Sequence, residues 1–135
     1  MVQWHYRDDT KPSGGRRNTV RSRTKKLAWK GGSAAMTKTD TTVKENKVET
    51  KRGMGNTKKT RALELKYANV SNDKGKIVKA EVIAVKTNDS NRLFARSNIS
   101  TQGAVIRVML GGQEKLARIT NRPGQEGTVN AKLIE

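Results

Sequence analysis

The sequence predicts a mainly β protein: a small antiparallel β-barrel of five or six strands behind a long, basic and largely irregular N-terminal extension. Two uneven distributions point there. Of the residues AVILMFWYC, 14 lie in the 61 positions of residues 1–61 and 30 in the 74 positions of 62–135, so only the second part has the apolar content to offset its chain entropy unaided. Lys and Arg run the other way, with 17 against 5 Asp and Glu in residues 1–61 and 12 against 7 in 62–135. Third, short runs rich in β-branched residues, each bounded by turn residues, recur closely from residue 62 onward, as in a small closed sheet that leaves few exposed edges.

This divides the chain into a basic extension (1–50), a glycine-rich basic hinge loop (51–61) and a barrel body (62–135). Pro12 and Gly14-Gly15 interrupt the extension early, so a long helix is not expected, although Arg17 to Trp29 has room for a short one once its charge is neutralised. Residues 31–51, rich in Thr and Lys, read either as an extended strand along a partner or as a surface loop. The extension as a whole is expected to be flexible in isolation and ordered on its partner.

In the body, Leu63, Leu65 and Tyr67 alternate with Ala62, Glu64 and Lys66, the pattern of a half-buried first strand. Ser71 to Gly75 is a turn, Ile77 to Thr87 a strand, and Asn88-Asp89-Ser90-Asn91 a second chain reversal. Leu93-Phe94-Ala95 is a helical turn or a short strand. Ala104 to Leu110 and Lys115 to Thr120 flank Gly111-Gly112-Gln113-Glu114 as a hairpin. Arg122-Pro123-Gly124 turns the chain into a last strand, Gly127 to Ile134, with Val129, Ala131 and Leu133 on one face.

A net charge of +17 on 135 residues exceeds what solubility requires, so the expected partner is a polyanion. No apolar run approaches the roughly 18 residues that would span a bilayer, and no signal-peptide core is visible, which points to a soluble intracellular protein. Without cysteine, disulfides and thiolate metal sites are impossible. The single histidine, His5, leaves no Ser-His-Asp set to assign, and the one adjacent acidic pair, Asp8-Asp9, lacks converging partners. Catalysis, a bound metal and a cofactor are not expected.

Gly53-Met54-Gly55-Asn56-Thr57-Lys58-Lys59-Thr60 superficially resembles a phosphate-binding loop. Lys58, however, stands where that motif needs a glycine, and no strand and helix clearly frame the run. Its alternative role is backbone binding: Gly53, Gly55 and Asn56 allow close approach to a sugar-phosphate chain while Arg52, Lys58, Lys59 and Arg61 neutralise phosphates. In the extension, Lys11, Arg16, Arg17, Arg21, Arg23, Lys25, Lys26 and Lys30 supply the same chemistry. Trp4 and Trp29 are among only five aromatic residues; they either stack on unpaired bases or pack back as hydrophobic anchors.

Together these stretches resemble a known family, the archaeal and eukaryotic type of small-subunit ribosomal protein eight in its short archaeal form. The matching residues run in order from Lys11-Pro12-Ser13-Gly14-Gly15-Arg16 through Thr24-Lys25-Lys26-Leu27, Ala34 to Lys38 and Arg52 to Asn56. They continue in Tyr67-Ala68-Asn69-Val70, Ala95 to Ile99, Gly103 to Ile106 and, most distinctively, Thr120-Asn121-Arg122-Pro123-Gly124-Gln125-Glu126-Gly127-Thr128-Val129-Asn130-Ala131. Relative to the family pattern Met54 is an extra residue, and Asp8-Asp9 stand where basic residues are usual. The resemblance implies a barrel with a basic extension threaded into small-subunit rRNA in the cytoplasmic ribosome beside neighbouring ribosomal proteins. It implies no cofactor, membrane or small-molecule substrate. The alternative, a non-ribosomal architectural or regulatory nucleic-acid-binding protein, would need a preference for duplex DNA or a modular recognition element such as an aromatic pair on a sheet, and the sequence shows neither.

Overall fold

In the computed structural model the described residues are 3–4, 8–17, 27–32, 35–53, 55–72 and 75–134, and the chain packs as two compact units, 1–34 and 35–135. In the smaller unit, β1 (Gln3–Trp4) and β2 (Lys30–Gly31) pair antiparallel with Trp4 opposite Lys30, and a single 3-10 turn, Leu27–Trp29, leads into β2. The short helix expected over Arg17 to Trp29 falls mostly outside the described residues, and Arg17 itself is not helical. Residues 8–17 form a tight reversal: Gly14 N–H donates to the Lys11 carbonyl at 2.9 Å and Lys11 N–H to the Gly15 carbonyl at 2.8 Å. Pro12 sets the entry to this turn, and Gly14, at φ 83, takes the left-handed position that closes it.

The larger unit contains the predicted closed barrel. Its strands are β6 (Tyr67–Ser71), β7 (Ile77–Thr87), β9 (Val105–Leu110), β10 (Gln113–Ile119) and β11 (Asn130–Ile134), around the barrel in the order β10-β11-β6-β7-β9. Five strands cannot alternate direction around a closed ring, so one seam must be parallel. That seam is β11 against β6, with Ala131 beside Val70; the other four are antiparallel, which amends the all-antiparallel expectation. The β9–β10 hairpin turns through Gly111 and Gly112, both at positive φ (58 and 82), as a two-residue turn with right-handed strand twist requires.

Alternation along the strands turns Ala68, Val70, Ala80, Val82, Ile106, Val108, Ala117, Ile119 and Ala131 inward, all at most 2% exposed. The prevalence of Ala and Val follows from the narrow lumen of a five-stranded barrel. Two register shifts in β7, between Val82 and Ala84 and between Val85 and Thr87, bend that long strand while Val85 stays in the core. Leu65, fully buried, packs into the same core from outside the ring of strands.

A second sheet, not foreseen from sequence, has the order β4-β5-β3-β8. Its strands are β3 (Thr37–Thr39), β4 (Lys47–Arg52), β5 (Lys58–Leu65) and β8 (Ile99–Ser100). Residues 35–50 therefore fold with the body instead of belonging to the extension. The low apolar content of this segment misled because its buried residues are threonines: Thr37 and Thr39 are 2% and 4% exposed. Their hydroxyls are satisfied internally, Thr37 Oγ1 donating to the Ala62 carbonyl at 2.6 Å and Thr39 Oγ1 lying 3.0 Å from Ser100 Oγ.

The strand expected from Ala62 to Tyr67 is really two. β5 ends at Leu65, the chain bends at Lys66, and β6 begins the barrel at Tyr67. The Asn46 side chain spans this break: Oδ1 accepts from the Lys66 and Tyr67 amides at 2.7 and 2.8 Å, and Nδ2 donates to the Tyr67 carbonyl at 2.9 Å. Two short helices complete the unit. α1 (Arg92–Arg96) is capped by Asn91, whose side chain accepts from the Leu93 amide. α2 (Pro123–Glu126), where a simple turn was expected, has Pro123 in its first turn and Gly127 in the left-handed C-cap position.

Replacing Asn46 by Ala removes three part-buried hydrogen bonds and is expected to destabilise the chain by about 2–3 kcal/mol in denaturant unfolding. Asn46→Asp keeps the acceptor and should lose less. Equal losses for the two variants would show that the clamp does not act through these bonds.

Candidate nucleic-acid interface

β4 and β5 form an antiparallel hairpin whose register sets its chemistry. At its closed end Arg52 lies opposite Lys58 and Lys51 opposite Lys59, so the last two rungs each join two cations. Because side chains alternate along a strand, the two pairs point to opposite faces. The ribbon end thus presents positive charge on both sides, with Arg52 and Lys58 exposed and Lys51 and Lys59 half-buried. Like charges directly across a sheet destabilise it, by roughly 0.2–1 kcal/mol a pair, and an anionic partner would reverse that sign.

The base of the hairpin is arranged differently. Lys47 and Glu64 form an exposed ion pair at 3.5 Å, and Glu49 lies opposite Arg61. Arg61 is 9% exposed, so the structure separates it from the exposed cations with which sequence grouped it. Glu126 makes an isolated parallel bridge to Thr60, which sets α2 against β5. Gly127 makes that approach possible: a β-carbon there would stand 2.9 Å from Thr60 Cβ and 3.2 Å from Val48 Cγ1. Gly124 similarly lies against the Ala35 carbonyl, 3.2 Å from where its β-carbon would be.

Asn121 holds the loop after α2. Its Nδ2 donates to the Thr128 carbonyl at 2.7 Å and to Glu126 Oε2 at 3.0 Å, and its Oδ1 accepts from the Asn130 amide at 2.9 Å. The Thr120–Ala131 stretch, the most distinctive part of the sequence, therefore serves packing: it seats α2 on the hairpin and returns the chain to the barrel.

The glycines of the loop differ in role. Gly53 N–H donates to the Thr57 carbonyl at 2.7 Å, and a β-carbon on Gly53 would fall 2.5 Å from Thr57 Oγ1. Its missing side chain is thus already accounted for within the hairpin, whereas the sequence assigned it to close approach by a partner. Gly55, at φ 67, has open space around it, and Asn56 beside it is exposed, so these two remain available at the tip. Lys51, absent from the sequence-derived set, was legible in the period-2 spacing of Lys51 with Glu49 and of Lys59 with Arg61, had a hairpin been foreseen.

In the smaller unit, Lys11 and Arg16 are exposed on the 8–17 reversal, and Arg17 Nε donates to the Thr10 carbonyl at 3.4 Å. Trp29 is half-buried. Trp4 and Lys30 are paired through their backbones. Arg21, Arg23, Lys25 and Lys26 lie outside the described residues. Asp8 is held below the usual carboxylate range by the Thr10 amide and then by its hydroxyl, so this acid stabilises a turn. Among the described residues no three His, Asp or Glu side chains converge as metal ligands.

The sequence profile of the family described as Ribosomal protein S8e matches residues 4–134. The chain is 40% identical to the small ribosomal subunit protein eS8 of Methanocorpusculum labreanum over 98% of both chains. It is 38% identical to the protein of the same name from Methanospirillum hungatei, over 99% of this chain and 100% of the relative. A third similar protein of that name, from Methanoculleus marisnigri, is 38% identical over 98% of this chain and 99% of the relative.

Gly127→Ala must place a β-carbon against Thr60 in a left-handed backbone conformation. We expect about 2–4 kcal/mol of destabilisation by denaturant unfolding, against about 1–2 kcal/mol for Gly103→Ala, which shares the positive φ but has open space. Similar losses at the two positions would remove the packing role assigned to Gly127.

Proposed function

Because this chain belongs to the ribosomal protein S8e family, we propose that it is a structural constituent of the small ribosomal subunit that binds and stabilises rRNA through its basic extension and the end of the β4–β5 hairpin. The observation that carries the RNA-binding part is the pair of like-charge rungs, Lys51–Lys59 and Arg52–Lys58. Phosphate backbones are the partner that turns this self-repulsion into attraction, and a two-stranded ribbon charged on both faces can lie between two backbone segments and neutralise each. Such contacts set position and orientation without reading base sequence. Specificity then comes from RNA shape, which a preformed ribbon end and the Lys11–Arg16 reversal can match in ways a fully unstructured tail cannot.

No described helix is long and apolar enough to cross a membrane. The activity proposed is binding alone: the rRNA backbone and neighbouring small-subunit proteins are the partners, in the cytoplasmic ribosome. The extension's cations would act additively with the hairpin, each neutralised phosphate releasing counterions.

The chain should co-sediment with small ribosomal particles through moderate salt; recovery only in the free pool would contradict the proposal. In a salt titration of binding to a small-subunit rRNA transcript, Lys51→Gln with Lys59→Gln should lower the logarithmic slope by about 1.5, at roughly 0.7–0.9 per phosphate contact. An unchanged slope there, and again with Arg52→Gln and Lys58→Gln, would take the hairpin out of the interface.

A further inference from the structure

One side chain of the Thr120–Ala131 stretch is not taken up by packing. Arg122 is exposed, yet it is held at both ends. Its backbone is fixed at the start of α2: Pro123 after it is buried, and its own carbonyl accepts from the Gln125 and Glu126 amides at 3.0 and 3.1 Å. Its guanidinium is fixed from a different part of the chain, where Nε donates to Gln102 Oε1 at 3.2 Å. Gln102 is itself held, since its Nε2 donates to the Thr120 carbonyl at 3.0 Å. It sits in a turn that the Ala104 amide closes on the Thr101 carbonyl at 3.2 Å, with Gly103 at φ 83 in the left-handed position. The Gly103 amide ties that turn to β10 at the Ile119 carbonyl, 2.9 Å away.

The group that orients this arginine is neutral. A carboxylate there would hold the guanidinium equally well and cancel its charge, whereas an amide oxygen leaves the full cation. The carboxylate nearest in sequence, Glu126, accepts from Asn121 Nδ2 at 3.0 Å. Among the described residues no ion pair and no further hydrogen bond engages Arg122, so both Nη groups keep their four N–H donors in a fixed plane. The surroundings are polar. The Thr120 amide donates to the Asn130 carbonyl at 2.9 Å, and Asn130 is exposed. Its Oδ1 accepts from Asn69 Nδ2 at 3.3 Å, which leaves its own Nδ2 hydrogens for an external acceptor. None of the exposed large apolar residues belongs to residues 100–104 or 118–130.

The geometry points to Arg122 as a preorganised phosphate fork for the RNA backbone, with Gln102 as its positioning residue and Asn130 as a neighbouring donor to phosphate or ribose oxygens. The inference rests on the rRNA-binding function proposed above and adds a site outside the extension and the hairpin. A phosphate presents two oxygens that the paired Nη–H groups can meet together. An arginine that is already held loses less conformational freedom on binding than an unrestrained one. RNA fits this strip better than an acidic protein segment. Protein interfaces are anchored by apolar and aromatic groups, which these segments do not expose, whereas amide donors beside a cation suit sugar-phosphate oxygens.

The test uses the full chain and a small-subunit rRNA transcript, with affinity measured against salt concentration. Arg122→Gln should lower the logarithmic slope by about 0.8 and weaken binding about tenfold at low salt. Arg122→Lys keeps the charge and loses the fork, so its slope should stay at the wild-type value while affinity falls about threefold. Gln102→Ala should also weaken binding at unchanged slope, and should add nothing to the loss from Arg122→Gln. Should Arg122→Gln fail to fold, Arg122→Lys and Gln102→Ala give the reading on their own. Wild-type slope and affinity in Arg122→Gln, with Lys51→Gln and Lys59→Gln weakened, overturn this inference and leave the proposed function standing. Failure of the unaltered chain to bind the transcript at low salt overturns both. Wild-type affinity in Arg122→Lys, or a loss from Gln102→Ala that adds to that of Arg122→Gln, removes the held fork and overturns the inference as well. Unchanged RNA binding by Arg122→Gln with loss of a neighbouring acidic small-subunit protein from reconstituted particles would assign the site to protein docking and equally overturn it.

Discussion

The structure turns on one handover, the bend at Lys66, where the chain leaves the second sheet and enters the barrel. A sheet strand that stops in the interior leaves backbone groups to be satisfied, and Asn46 satisfies three of them with one side chain. On one side of the bend Leu65, whose carbonyl accepts from the Asp40 amide at 3.0 Å, closes the end of the core; on the other Lys66 accepts from the Val82 amide at 2.8 Å. Asn46 itself immediately precedes β4. The residue that resolves the bend is thus joined covalently to the cationic hairpin, so barrel, second sheet and hairpin are held in register by one small set of bonds.

That arrangement reconciles two opposing demands. A polyanion-binding surface needs cations crowded together, which costs stability in the free protein, and a domain of this size has little stability to spare. The cations of the hairpin are accordingly placed at the end of a ribbon, away from the small apolar core. The hairpin base is secured by packing instead of charge, with α2 seated on Thr60 and Val48 through Gly127.

The barrel was legible in the sequence because its strands follow the two-residue period with small apolar residues inward, and its turns carry the residues their geometry demands, as at Gly111-Gly112 and Asn88–Asn91. The second sheet was not, because β3 buries threonines and β8 is only two residues long. A composition count reads Thr37 and Thr39 as polar surface, although their hydroxyls are satisfied inside. The break at Lys66 was hidden for a related reason: alternation continues through Leu63, Leu65 and Tyr67, while the bend depends on a side chain twenty residues earlier in the chain. At the candidate interface Arg52, Lys58 and Lys59 were legible as a cluster. That Arg61 is buried, that Lys51 completes a rung, and that the Thr120–Ala131 stretch serves packing all depend on cross-strand register, which charge counting does not contain.

The central claim is that the cationic hairpin is a preformed part of the body. Amide hydrogen exchange on the free full-length chain tests it most directly. The account predicts that the β4–β5 ladder amides, from Val48 to Arg52 and from Lys58 to Leu65, are protected without RNA on the scale of the barrel strands. Exchange of that hairpin at unfolded-chain rates, with the barrel still protected, would contradict it.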